Sequence, residues 1–88
     1  GVRWRHAPGD SIPPRLSVAI RDRGAGLAPA DQSIFVDGRR VPAEYDPEGS
    51  RLSWYPRAWP AQGRHEVRIE AVDRLGNRSV LTVPLAVD

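Results

Sequence analysis

His65-Glu66-Val67-Arg68-Ile69-Glu70-Ala71 is the stretch whose reading decides the fold. His65, Val67, Ile69 and Ala71 share one parity, while Arg64, Glu66, Arg68 and Glu70 share the other, the period of a half-buried strand. The charged row alternates in sign, so its members attract and that face stays wet. A second extended run, about Arg78 to Val87, puts Leu81, Val83, Leu85 and Val87 on one parity. On the other, Pro84 removes a ladder donor and predicts an edge or a bulge. Between the runs lies Asp73-Arg74-Leu75-Gly76-Asn77, with Asp and Gly placed for a type I turn closed by a left-handed glycine. Gly63 to Asp88 therefore reads as an antiparallel hairpin.

Working backwards, Asp37-Gly38 joins two more extended runs and predicts a two-residue type I′ turn. The register that follows sets Val36 against Arg39, Phe35 against Arg40 and Ile34 against Val41. Ile34, Val36, Val41, Ala43 and Tyr45 then face a core. Phe35 and Arg40 face outward, with the Arg40 stem and guanidinium expected over the Phe35 ring. Asp46-Pro47-Glu48-Gly49 satisfies a type I turn. After it Leu52 and Trp54 point inward, and Ser53 and Tyr55 point outward, until Pro56. Leu16, Val18 and Ile20 form an earlier strand. Val2, Trp4 and His6 form a short first strand followed by a Gly/Pro linker, so that 1–12 is first strand plus linker. Arg23 to Gln32 reads as a loop with one short helical turn at Pro29 to Gln32.

About seven strands with turn signals every eight to twelve residues or so predict an all-β, two-sheet antiparallel sandwich, a single domain over 1–88. The 17 Gly and Pro residues among 88 sit between apolar runs and mark turns, not disorder. At this length there is room for a thin core and none for a deep catalytic cleft. There is no cysteine, hence no disulfide and no thiolate chemistry, and the redox compartment stays open. The absence of Met predicts a piece of a longer protein.

All 13 cationic side chains are Arg, which raises the pI to about 9.9 although the net charge is only +2. Most of them alternate with acids, so no nucleic-acid stripe is expected. No apolar run is long enough to insert in a membrane as a helix.

Asp22-Arg23-Gly24-Ala25-Gly26-Leu27, Ile34-Phe35-Val36-Asp37-Gly38, Tyr45-Asp46, Leu52-Ser53-Trp54-Tyr55-Pro56, Gly63-Arg64-His65 and Ala71 to Asn77, in that order, resemble bacterial Ig-like modules of fibronectin type III-like topology. The resemblance spans about Pro13 to Asp88. It implies a non-catalytic spacer or accessory interaction module of a larger exported protein. Such a module would sit outside the cell, at the cell surface or in the periplasm, beside neighbouring domains of the same polypeptide. The Arg-rich, Lys-free surface departs from those relatives and adds a second reading, a carbohydrate- or cell-wall-binding module. For that reading the ligand-binding candidates are Phe35, Arg40, Tyr55 and Trp59, with Trp4 a further aromatic expected at the surface. The Trp4 end and the loop carrying Gly24 and Gly26 are the expected contact surfaces for neighbouring domains or protein partners.

In the implied topology the strands ending at Asp22 and Asp73 finish at one end of the sandwich, near Asn77. Three such oxygen ligands with backbone carbonyls would suit Ca²⁺, which takes six to eight or so. Against this, a turn Asp and Asn bond their own backbone, and no Asp-rich loop is present, so no cofactor is the plainer expectation. Ser53, His65 and Asp73 lack a nucleophile elbow. Gly24-Ala25-Gly26 lacks the third glycine and the helix of a dinucleotide site. Asn77-Arg78-Ser79 fits a glycosylation acceptor, but a turn Asn accounts for it. His65 reads as a hydrogen-bonded residue at the core edge, and an enzyme is not expected.

Overall fold

The computed structural model describes residues 1–20 and 27–88, with side chains throughout except at 27–31. Eight strands lie among them: β1 Val2–Trp4, β2 Leu16–Ala19, β3 Leu27–Val36, β4 Arg39–Val41, β5 Glu44–Asp46, β6 Arg51–Trp54, β7 Gly63–Asp73 and β8 Arg78–Val87. One sheet has the order β1-β8-β7-β3-β4 and the other β2-β6-β5, and no described residue is helical. The expected all-β sandwich is the fold. Three hairpins, β3-β4, β5-β6 and β7-β8, stay within a sheet, and the remaining connections cross between the sheets.

The alternation at His65–Ala71 is what makes this possible. Val67 and Ile69 face inward beside Ile34, Leu52 and Leu85, and the fully enclosed members Ile34, Leu52, Leu85 and Val67 come from both sheets. β7 pairs with β8 without a break from Gly63↔Val87 to Val72↔Arg78. The type I′ turn is present, with φ of 51° at Asp37 and 82° at Gly38, and Val36↔Arg39, Phe35↔Arg40 and Ile34↔Val41 are the observed pairs. In the last hairpin Gly76 N–H donates to the Asp73 carbonyl at 3.0 Å and Gly76 has φ of 84°, the left-handed closure its sequence called for.

Four expectations need correcting. First, Leu27–Gln32 belongs to β3 and contains no helical turn. Its register against β7 shifts between Leu27↔Asp73 and Gln32↔Ala71. Pro29 lies in that shift, where a missing ladder donor is tolerated. Second, the run after Gly38 is two strands in two sheets, parted at Pro42 and Ala43. Proline cannot donate to the ladder, and the chain changes sheets there.

Third, β1 is not antiparallel. It runs parallel to β8, Val2 beside Leu85 and Trp4 beside Val87, which buries Trp4 to 7% exposure. β1 covers β8 only at Leu85–Val87, so the stretch before Pro84 is an edge, as that proline suggested. Fourth, Leu81 shares the parity of Leu85 and stands opposite the buried Ile69 but is 51% exposed, because β1 does not reach it and β8 is an open edge there.

Candidate functional site

Three constellations place the side chains that could do chemistry. The first joins two hairpins. Asp37, at the β3–β4 turn, accepts from Glu66 N–H on Oδ1 at 2.9 Å and from His65 Nδ1 on Oδ2 at 2.6 Å. The other ring nitrogen of His65 lies 2.6 Å from the Ala61 carbonyl. A carboxylate and a carbonyl both accept, so only the imidazolium, with two N–H donors, satisfies both contacts. The Ala61 carbonyl and then the Asp37 carboxylate accordingly push the His65 pKa up, and the His65 bond, with Glu66 N–H, holds the Asp37 carboxyl below its ordinary value. This is the hydrogen-bonded core-edge histidine expected of the sequence.

The second is the β7–β8 turn. Asp73 Oδ1 accepts from Leu75 N–H and Asn77 N–H, both at 2.9 Å, and Oδ2 accepts from Asn77 Nδ2 at 2.9 Å. The Asn77 amide is the leading cause of a depressed Asp73 pKa. Asp73 and Asn77 are thus brought together, but as partners of each other. Asp22 lies outside the described residues. Among those described, no three His, Cys, Asp or Glu side chains converge in a way that could hold a metal ion.

The third is the outer face of the five-stranded sheet. Phe35 and Arg40 are cross-strand neighbours as expected, yet the guanidinium over the ring is that of Arg68, 4.4 Å from its centroid. Arg68 stands opposite Phe35 on the central strand β7 and is steered by Glu70, 3.0 Å away. Arg40 is on edge strand β4, and among the described residues no ion pair steers its guanidinium over the ring. Glu70 was expected in the wet row, but Arg68 and Arg78 clamp it and leave it 9% exposed. The acid is buried by its own salt bridges, not by the core.

The other aromatics are dispersed. Tyr55 is 52% exposed, beyond the end of β6 and on the parity opposite Trp54. It therefore faces away from the core on the opposite sheet from Phe35. Trp59, expected at the surface, is half-buried. It meets Trp4 edge-on at 6.3 Å and stacks on His6 at 4.1 Å, and its Nε1 is enclosed without a hydrogen-bond partner. Trp4 in turn stacks on Trp54 at 5.9 Å. Phe35, Tyr55 and Trp59 form no common platform. Sequence reasoning missed Arg68 as the residue over Phe35, although the Ile34↔Ile69 pairing that sets it there extends the alternation already legible in both strands.

No protein-family model matches the sequence, and no curated protein matches it. Among solved structures, the fold is similar to the crystal structure of CopC from Methylosinus trichosporium OB3b. The TM-score is 0.67 and the identity 19%, over 100% of this chain and 85% of that one. At that identity the likeness concerns the β-sandwich fold.

Proposed function

We propose that this chain is a non-catalytic Ig-like module, a structural or accessory interaction unit of a larger exported bacterial protein, working outside the cytoplasm. One observation carries the reading. The described side chains with displaced protonation equilibria, Asp37, His65 and Asp73, each spend their polar atoms holding a turn or a crossing segment in place. Perturbed groups at a catalytic centre face a cleft; these are bonded to one another, to Asn77 and to nearby backbone. No helix among the described residues is long and apolar enough to cross a membrane. The sandwich measures 46 × 22 × 18 Å, a long body suited to hold neighbours apart or to present one face.

The test uses Asp73→Asn and His65→Gln in the intact polypeptide, assayed well below their melting temperatures. Stability should fall while any catalytic turnover of that polypeptide is unchanged. Loss of turnover in a variant that remains folded would overturn the reading. The second reading, a glycan-binding module, is favoured by the arginine-bearing outer face of the five-stranded sheet.

A further inference from the structure

Pairing in the five-stranded sheet lines up Arg3 of β1, Ala86 of β8 and Arg64 of β7 in one outward row. Two strand spacings separate the arginines, about 10 Å between backbones, and the residue between them is small. An open depression of about 320 Å³ lies there, walled by Arg3 and Arg64 and floored by Gly1, Pro84 and Ala86. Guanidinium groups reaching in from both sides can converge on one planar or tetrahedral oxyanion.

The arginines differ in their commitments. Arg64 forms no ion pair among the described residues, and Arg3 reaches only Asp88, at 3.5 Å with both side chains largely exposed. Such a pair is weak and readily exchanged. Asp88, which reaches Arg3, and Glu66, two residues beyond Arg64 and opposite Pro84, are the acids beside the depression, and both oppose an anion. Farther along, Arg68, Arg40 and Arg78 continue the cationic surface, so the described side chains of this face hold five arginines against three acids: Glu66, Glu70, which Arg68 and Arg78 share, and Asp88, which Arg3 reaches. The charge extends well past the depression, which suits a ligand carrying acids at intervals. A folded protein partner would need an apolar centre to its interface. Here the one aromatic ring is covered by Arg68. Base stacking for a single-stranded nucleic acid is denied for the same reason.

We infer that this face binds an anionic polysaccharide, with Arg3 and Arg64 gripping one of its acid groups over Ala86. This rests on the reading of the chain as a non-catalytic interaction module and names what one of its faces would contact.

Oligogalacturonate is the probe, titrated at low salt and followed by backbone amide shifts, with inorganic phosphate, polyglutamate and a single-stranded DNA oligomer as comparisons. Saturable binding should shift Ala86, Arg64 and Arg3, weaken about tenfold in Arg64→Gln and fall with added salt. Glu66→Gln should tighten binding about twofold, a gain that a misfolded variant would not show. Absence of wild-type binding overturns the inference. So does equal binding of polyglutamate or DNA, which assigns the face to another class of polymer. Phosphate binding as tight as the oligosaccharide reduces it to a small-anion site, and shifts unaffected by Arg64→Gln place any binding elsewhere. None of these outcomes bears on the turn variants, whose assay judges the non-catalytic reading separately.

Discussion

His65 shows how one side chain can make stability depend on pH. Its pKa is raised in the folded state, so its contribution is complete below the unfolded value near 6.5 and is lost as pH rises through the higher folded value. Asp37 is lowered, so its contribution is complete above about 3.8 and is lost as pH falls through the lower folded value. The two windows overlap between the two unfolded values, and there the pair stabilises most. The urea midpoint of the wild type should therefore decline from mildly acid toward alkaline pH, and Asp37→Asn should flatten that decline. Asn tolerates the left-handed backbone at this turn, so the variant keeps the turn and removes the charge together with one of the two acceptor oxygens. Parallel midpoint curves for the two proteins would refute the assignment. Parity alone told that His65 sits at the core edge. Its partner was hidden, because Asp37 is 28 residues away and meets it only after β3 has paired with β7.

At the scale of elements, each hairpin places an aspartate at its turn: Asp37, Asp46 and Asp73. Asp46 Oδ1 accepts Glu48 N–H at 3.0 Å, much as Asp73 accepts Leu75 and Asn77. The Asp37-Gly38 and Asp73-to-Gly76 turns were legible because their backbone demands are local. The middle turn also joins two paired strands, as its residues predicted. The left-handed residue there is Ser50, with φ of 51°, and Gly49 leaves the Asp46 carboxylate its place: a Cβ on it would lie 2.8 Å from Asp46 Oδ2. Gly49→Ala should then push the carboxylate off Glu48 N–H, seen as faster amide exchange at Glu48 with the β5–β6 pairing retained. Gly76→Ala acts differently, through its φ of 84°, and should cost about 1–2 kcal/mol in denaturant unfolding. An exchange rate at Glu48 unchanged in Gly49→Ala would show that the carboxylate has room. The split of β4 from β5 had Pro42 as its sole local signal, since which sheet a strand joins depends on partners distant in sequence.

For the whole molecule, Trp4 is the residue that ties the parts together. β1 contributes three residues to the edge of the larger sheet, yet its indole stacks on Trp54 of the smaller sheet and meets Trp59 of the segment crossing between them. The chain is closed there by backbone as well, Asp88 N–H donating to the Trp4 carbonyl at 2.9 Å and His6 N–H to that of Asp88 at 3.1 Å. Alternation gave Trp4 a place in a short strand, but it was expected at the surface and is 7% exposed. Parallel addition to the last strand, which brings residues 2–4 beside 85–87, is a long-range arrangement that no local pattern encodes. Removing a buried Trp costs about 3–5 kcal/mol, and a domain of this length has about 4–13 kcal/mol in total. Trp4→Ala should thus leave a marginal fold, with the urea midpoint sharply lowered and the near-ultraviolet dichroism of the stacked indoles lost. Trp4→Phe, which keeps a ring against Trp54 and Trp59, should retain most of the stability. If instead Trp4→Ala unfolds at the wild-type midpoint, then β1 is an appendage and the sandwich is held by β2–β8 alone.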